Sequence, residues 1–272
     1  MEKLGIAKHF GTDSKRYQVN GLTLVHSSFH HFASCPWHYH QNAHFAFTTG
    51  GTLTETHRKF QLRLQAGSLL YNYSDEPHCN AEYSEHVSAL HVDVEPSWFA
   101  TREIDFAAFN GVRVLRDPLL KSHFYRIFNE LQVDDTASHL SIEAHLLECI
   151  SHMLRTQGRT AGKTPAWVDK VRNLLYDRYT ERILLKEVAV EAGLHPVYLC
   201  QQFPMFFHCS FGEYIRKIRI EKAVDRMLQN SKRTLLTEIA FECGFSDQSH
   251  FIRTFKQHIG VTPLVFQKGL RP

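Results

Sequence analysis

The stretches LKEVAVEAGL (residues 185–194) and LTEIAFECGF (residues 236–245) repeat one pattern 51 residues apart. In each stretch the apolar residues recur with the spacing of one helix face, and a glycine follows, Gly193 or Gly244. Because glycine adopts a positive φ at little cost, each glycine predicts a tight turn into a second helix. Those second helices carry apolar residues four apart, namely Leu199 with Phe203 and Phe251 with Phe255. The repeat therefore predicts two helix-turn-helix units, in which the second helix enters the major groove of DNA.

The charge of the chain is unevenly distributed. Residues 163–272 contain 17 Lys and Arg against 11 Asp and Glu, whereas residues 1–162 contain 14 against 17. A basic C-terminal third favours a polyanionic partner such as double-stranded DNA. The sequence has no window near the ~18 apolar residues of a membrane span, so we expect a cytoplasmic protein without a membrane partner.

The hydrophobic period changes along the chain. Up to about residue 100 apolar and polar residues alternate, as in EHVSALHVDVE (residues 85–95), which predicts many short strands. From Asp117-Pro118 the period becomes helical, and RTQGRTAGKTPA (residues 155–166) has the composition of a linker. We therefore expect an α+β multidomain protein in which a small β-barrel or sandwich precedes helices and an all-α C-terminal domain.

The segment GFSDQSHFIRTFKQHIGVTP (residues 244–263) is similar to the signature of the AraC/XylS family of transcriptional regulators. The similarity extends over about 100 residues, from Trp167 to Phe266. It implies a module of two helix-turn-helix units, whose reading helices enter adjacent major grooves. It also implies a DNA-binding regulator, rather than an enzyme, for which RNA polymerase is a further partner.

The resemblance assigns the base-reading positions of the two units. In the second unit they fall on Gln248, Ser249 and Arg253, and in the first unit on Val197, Cys200 and Gln201. Arginine can pair with guanine O6 and N7, and glutamine with adenine N6 and N7. Phosphate contacts are expected from Lys256 and Arg219.

The first unit departs from the family pattern. Its base-facing positions lack arginine, Pro204 stands where a lysine is usual, and His208 replaces a glycine beyond the helix. Because Pro204 has no backbone N–H, the carbonyl of Cys200 would lack its hydrogen bond within the helix. We therefore expect weaker base discrimination from the first unit.

A cluster of histidines in the N-terminal half suggests a sensing pocket. In PWHYHQNAHFAFTTGG (residues 36–51), His38, His40 and His44 resemble the first cupin motif, with His44 in the place of its glutamate. The stretch AGSLLYNYSDEPHC (residues 66–79) resembles the second motif, whose histidine falls on His78. Three or four imidazoles suit Zn, Fe, Ni or Cu. Equally, the histidines can bind an organic effector or fill the barrel mouth without a metal.

The expected organisation is a cupin-like sensor barrel (1–110), helical dimerisation region (111–158), linker (159–166) and tandem helix-turn-helix domain (167–272). Family resemblance and an apolar stripe place a homodimer interface in the second region, with these candidates: Leu146, Leu147, Ile150 and Leu154. Those residues can instead pack on the barrel. Two other functions remain open, a cupin metalloenzyme with a helical appendage and a regulator whose barrel is an unliganded dimer platform.

Overall fold

We describe a computed structural model of the protein, covering residues 2–5, 8–30, 34–105, 109–160, 164–229 and 234–269. Its strands are β1 (Glu2–Leu4), β2 (Thr12–Val19), β3 (Leu22–His30), β4 (Ser34–His40), β5 (Ala43–Gly50), β6 (Thr52–His57), β7 (Gln61–Gln65), β8 (Leu69–Asn72), β9 (His78–Ala81), β10 (His86–Val94) and β11 (Val112–Val114). Its helices are α1 (Pro96–Ala100), α2 (Pro118–Val133), α3 (Ser138–Thr160), α4 (Ala166–Asp177), α5 (Leu185–Ala192), α6 (Pro196–Phe207), α7 (Phe211–Gln229), α8 (Leu236–Glu242), α9 (Gln248–Ile259) and α10 (Pro263–Gly269). The expected α+β architecture, strands first and helices after, is confirmed.

The strands form two sheets. One has the order β1-β4-β9-β6-β7, and the other has the order β11-β8-β5-β10-β3-β2. Buried apolar residues from both sheets pack in one cluster. The larger sheet contributes Phe29 and Val87, and the smaller sheet contributes Leu53 and Leu64. The inner faces therefore enclose a common interior, as expected of a cupin-like barrel.

Contacts divide the chain into two units, and helix α2 contributes to both. Unit 1 comprises Met1–Asp117 and Ile127–Glu143, and unit 2 comprises Pro118–Arg126 and Ala144–Pro272. The predicted linker, residues 159–166, runs from the end of α3 to the start of α4, and its residues 161–163 lie outside the described part of the chain. No helix in the described ranges has the length and apolar character needed to cross a membrane.

Unit 2 contains both predicted helix-turn-helix units. Helices α5 and α6 form the first, and α8 and α9 form the second. Gly193 and Gly244 follow the first helix of each pair with φ of +74° and +80°, so the predicted turns are confirmed. Any larger residue at position 244 would also clash, because a Cβ there would lie 2.7 Å from the Cα of Thr180.

Candidate functional site: two reading helices and a histidine cavity

Helix α9 has one buried and one exposed face. Phe251, Phe255 and Ile259 are at most 1 % exposed. The four predicted contact residues of this helix are all exposed: Gln248, Ser249, Arg253 and Lys256. The helical period thus separates the packing residues from side chains that can reach a partner.

The ends of α9 are well formed. At the N-terminus, the Asp247 carboxylate accepts the backbone N–H of His250 at 2.7 Å. At the C-terminus, Gly260 has φ of +93° and its N–H donates to the carbonyl of Lys256. An exposed helix N-terminus has a partial positive charge and free N–H groups, both of which favour a phosphate.

Helix α6 presents a different surface. Val197 is 57 % exposed, and Cys200 and Gln201 are also exposed. Pro204 lies inside the helix, and His208 ends it with φ of +56°, where a non-glycine residue is uncommon. The three predicted contact positions carry no charge, so this surface is more apolar than that of α9.

Arg219 already has partners within unit 2. Its Nε donates to the carbonyl of Tyr179 at 2.7 Å, and one terminal nitrogen donates to the carbonyl of Glu181 at 2.8 Å. Burial lowers the pKa of this guanidinium. Arg219 thus holds the segment that follows α4, and its predicted phosphate contact stays a prediction.

Unit 1 brings three of the predicted histidines together. His38 and His78 are direct partners in the register between β4 and β9, with ring centroids 4.3 Å apart. His40 lies on the same face of β4 as His38, and its ring centroid is 5.4 Å from that of His78. One ring nitrogen from each of the three residues lies within 4.8 Å of the others. All three residues are buried.

Backbone hydrogen bonds orient two of these rings. The Nδ1 of His38 lies 2.7 Å from the carbonyl oxygen of Pro36, and the Nδ1 of His78 lies 3.1 Å from that of Glu76. Since a carbonyl only accepts, both Nδ1 atoms carry a proton, and Nε2 is the ring nitrogen that remains available to a metal ion. A backbone carbonyl on the far nitrogen is the usual support of a metal-binding histidine.

His44 is adjacent to this cluster but does not belong to it. Its ring centroid is 4.3 Å from that of His40, yet its Nε2 faces the side-chain amide of Asn72 at 3.3 Å. Its Nδ1 and the Nδ1 of His40 are buried without a hydrogen-bond partner. The structure therefore gathers His38, His40 and His78 and leaves His44 as a neighbour.

Two further histidines line the same cavity, and the sequence analysis missed both. His9, from the segment between β1 and β2, stacks on His91 of β10 with ring centroids 3.8 Å apart. The Nε2 of His9 lies 2.7 Å from Asp93 Oδ2, and both side chains are 2 % exposed. His9, His40 and Asp93 form a second group with ligand atoms within 4.8 Å of one another.

The histidines of the cavity are held neutral by burial. Burial lowers the pKa of His9 to about 3 and that of His38 to about 4. Burial also places the pKa values of His40, His44 and His91 well below the ordinary value, and neighbouring histidines contribute to the decrease. Neutral imidazoles keep the lone pairs that a metal ion or a hydrogen-bond donor needs.

One buried carboxylate also faces the cavity. His57 Nε2 donates to one oxygen of Glu55 at 2.9 Å, and Asn80 donates to the other at 3.1 Å. Burial alone would raise the pKa of Glu55, but the electrostatic interaction with His78 and the hydrogen bonds from His57 and Asn80 lower it below its usual range. Glu55 thus supplies one negative charge beside the histidine cluster.

The cavity has a polar end and an apolar end. Its volume is about 530 Å³, including the part open to solvent. Opposite the histidines, its wall is formed by apolar side chains that include Phe29, Leu53, Leu64 and Val87. A single ion occupies a small part of such a space, so the cavity also has room for an organic molecule.

The four predicted dimerisation residues separate into two pairs. Leu146 and Ile150 are 0 % and 2 % exposed, so the chain's own core already covers them and they are not available to a partner subunit. Leu147 and Leu154 are half-buried and retain accessible surface. The most exposed apolar residue of α3 is Leu140, at 63 %.

Two protein-family models match the chain. Residues 188–269 match a helix-turn-helix domain, and residues 21–150 match an AraC-like ligand binding domain. The first segment includes helices α6 and α9, and the second includes the cavity histidines of β4, β5, β9 and β10.

Among curated proteins, the uncharacterized HTH-type transcriptional regulator YijO of Escherichia coli is 26 % identical over 56 % of this chain and 54 % of its own length. The probable transcription factor PqrA of Proteus vulgaris is 36 % identical over 33 % of this chain and 71 % of its own length. The match thus spans about half the length of YijO. Among solved structures, apo ToxT from Vibrio cholerae is 13 % identical, covers 94 % of this chain and 100 % of its own, and has a TM-score of 0.43.

Proposed function

Because this chain belongs to the AraC family of transcriptional regulators, we propose that it is a ligand-responsive, sequence-specific DNA-binding regulator. The exposed face of α9 carries this proposal, because it places Gln248, Arg253 and Lys256 opposite a fully buried apolar face. Arg253 pairs with guanine, Gln248 pairs with adenine, and Lys256 binds a phosphate. Helix α6 adds apolar contacts from Val197 and Cys200, which thymine methyl groups match.

Substitution of Arg253 tests the reading role of α9. A duplex selected on the protein from a randomised DNA pool provides the probe, and fluorescence anisotropy gives its affinity. We expect Arg253→Ala to weaken binding by ~1–3 kcal/mol and to relax selectivity at one base pair. Lys256→Ala is the control for a phosphate contact, since it should weaken all duplexes equally and reduce the salt slope by about 1.

Full affinity and unchanged base preference in Arg253→Ala would show that α9 does not read bases. The same probe compares the two units. We expect base changes in the half contacted by α9 to weaken binding more than changes in the half contacted by α6.

We place the effector site in the histidine cavity and name a transition-metal ion (Zn, Fe, Ni or Cu) as its first candidate. Three observations support this choice: the convergent nitrogens of His38, His40 and His78, the carbonyl-fixed tautomers of two of them, and the unpartnered Nδ1 of His40. Nitrogen-rich sites favour these metals over hard cations. When bound, such an ion would join β4 to β9.

The surrounding residues would assist that ion. Glu55 balances its charge, and His57 and Asn80 hold the Glu55 carboxylate in place. His9 and His44 lie next to His40 and can complete the ligand set after a side-chain rotation.

Elemental analysis of protein purified without an affinity tag tests the metal. We expect about one equivalent per chain, and we expect a chelator to lower the melting temperature of unit 1. His40→Ala should lose both the metal and the chelator effect. His86→Ala, which removes an exposed histidine of β10, is the matched control and should keep both. A metal content below about a tenth of an equivalent, with no chelator effect, would rule out the metal.

An organic effector is the second candidate, and the apolar end of the cavity favours it. Phe29, Leu53 and Val87 offer an apolar surface to the body of a small molecule, while the histidines offer hydrogen bonds to its polar groups. The cavity then acts as an organic sensor without metal. Compound binding to metal-free protein that raises the melting temperature and changes DNA affinity would support it.

The remaining partners follow from the regulatory role. We propose a homodimer that uses the accessible surface of Leu147 and Leu154, contact with RNA polymerase at the promoter, and a cytoplasmic location beside the DNA. A catalytic role for the cavity is not part of this proposal. Measurable turnover of a substrate by the purified protein would instead favour an enzymatic cavity. DNA affinity that changes with neither metal nor organic compounds would favour a barrel that serves only for dimerisation.

A further inference from the structure

A further group of residues that could bind a metal lies in unit 2 and shares no residue with the cavity of unit 1. His123 belongs to α2, whereas His145 and Glu148 lie three residues apart on the same face of α3. One ligand atom from each of these residues lies within 4.8 Å of the other two. The group thus combines two imidazoles and one carboxylate contributed by two neighbouring helices.

The distances in this group are close to those of a metal site. His123 Nδ1 lies 3.3 Å from Glu148 Oε2, and the two imidazole centroids are 5.7 Å apart. A tetrahedral zinc ion with bonds of ~2.0–2.2 Å keeps its ligand atoms ~3.3–3.5 Å apart. The Glu148 side chain is 65 % exposed, so it can rotate to close the remaining gap without disturbing the helix.

Both imidazoles have an unsatisfied nitrogen. The Nδ1 atoms of His123 and His145 are buried and form no hydrogen bond, because the contact between His123 and Glu148 lacks hydrogen-bond geometry. Buried polar atoms in native proteins almost always have a partner, and a metal ion is one kind of partner.

The charges around the group select the kind of ion. Burial lowers the pKa of His123 to about 4, and burial also lowers the pKa of His145, so both rings are neutral at neutral pH. Arg126 and Lys217 add positive charge nearby and repel any cation, so an ion bound here must form strong bonds to neutral nitrogen ligands, which hard cations do not. Neutral nitrogen ligands with one carboxylate suit Zn²⁺, as in sites with two histidines and one glutamate.

We propose that His123, His145 and Glu148 form a second transition-metal site, one that fastens α2 to α3 and takes Zn²⁺ or a similar ion. This site is independent of the cavity in unit 1. It also lies one helix turn from Arg126, which donates hydrogen bonds of 2.7 Å to the carbonyls of Gln257 and His258 at the end of α9. Metal binding therefore stiffens a helix that supports the reading helix.

The test uses the whole 272-residue chain with His38→Ala and His40→Ala, which remove two of the three convergent cavity histidines. Co²⁺ is titrated into this background, because its visible absorption reports the number and geometry of nitrogen and oxygen ligands. We expect one equivalent to bind. Adding His145→Ala should weaken binding at least tenfold and abolish the tetrahedral spectrum, and Glu148→Gln should weaken it less. His139→Ala, another histidine of α3 that is not part of the group, is the matched control and should change nothing.

Thermal unfolding gives a second readout. Saturating Zn²⁺ should raise the melting temperature of the background protein and leave that of the His145→Ala variant unchanged. Weak non-stoichiometric Co²⁺ binding in the background, or equal binding by the His145→Ala and His139→Ala variants, would overturn the proposal. Since every arm lacks His38 and His40, the cavity makes the same contribution in all of them, and the comparison of His145→Ala with His139→Ala reports on the second site alone.

Discussion

Lys121 of α2 forms a buried ion pair whose removal has a predictable effect on unit 2. Its Nζ lies 2.6 Å from Oε1 of Glu221 on α7, and Glu221 is 2 % exposed. Tyr176 of α4 donates its hydroxyl to the other oxygen of Glu221, also at 2.6 Å. The substitution Lys121→Met keeps the length and apolar part of the side chain but leaves the Glu221 carboxylate without its cation.

The magnitude follows from this geometry. Removing one partner of a buried ion pair costs about 3–5 kcal/mol, because the remaining charge stays buried. Here Tyr176 still donates a hydrogen bond to the charged group, and such a bond contributes about 1.5–3 kcal/mol. We therefore expect Lys121→Met to lower the free energy of unfolding of unit 2 by about 1–3 kcal/mol.

Urea unfolding followed by far-ultraviolet circular dichroism, to which the helices contribute most, measures the change. The double variant Lys121→Met/Glu221→Gln should recover at least about 1 kcal/mol, because it removes the uncompensated charge. Lys170→Met, at an exposed lysine of α4, is the control and should stay within about 0.5 kcal/mol of the original protein. A Lys121→Met variant as stable as this control would refute a role for the ion pair in holding α2 to α7.

Three further sets of substitutions test other contacts. Gly244→Ala should destabilise unit 2 by more than Gly193→Ala. Both alanines have the left-handed backbone penalty of about 1–2 kcal/mol, but only the Cβ at position 244 clashes with the backbone of Thr180. Equal losses in urea unfolding would contradict this steric argument. Burial lowers the pKa of His26 to about 4, so the free energy of unfolding of unit 1 should decrease by up to about 1.4 kcal/mol per pH unit as the pH falls from about 6.5 towards 4. In His26→Gln this dependence on pH should be weaker. Arg126→Ala should weaken DNA binding, because Arg126 donates to two carbonyls at the end of α9. Arg126→Lys should restore less than half of the lost affinity, since lysine lacks the planar guanidinium that reaches both carbonyls. Equal DNA affinity of the original protein and both variants would exclude a role for Arg126 in supporting α9.

The helix-turn-helix units were predictable because their signals are local. Apolar spacing, the glycine after the first helix and the charged outer face all lie within about 25 residues, and Gly193 and Gly244 have the φ values that the pattern requires. The exposure of Arg253 follows from the same period, since Phe251 and Phe255 fix which face is buried.

The histidine cavity was predictable only in part. His38, His40 and His78 lie in strands that resemble known motifs, and the register between β4 and β9 joins them. His91 had an available signal, because the alternation that places Leu90 and Val92 on one face of β10 places His91 on the other, with Val87 and Ala89. His9 had none, since it meets Asp93 across 84 positions of sequence.

The apolar stripe of α3 shows a further limit of periodicity. Leu146 and Ile150 repeat with the helical period, which indicates burial but does not identify what covers them. The same period also describes a helix covered by a partner subunit. Only the tertiary contacts of unit 2 distinguish a core residue from a residue of an interface.

The division of α2 between the two units has a consequence for recombination, in nature or in the laboratory. A crossover at residues 159–166 would exchange the sensing half together with Lys121 and Arg126, although both residues bind partners in α7 and α9. The recipient would then carry Glu221 beside an unrelated helix. A junction before Pro118 would preserve these pairs but separate Ile127–Glu143 from the rest of unit 1, so functional chimeras should require relatives that share the contact residues of α2.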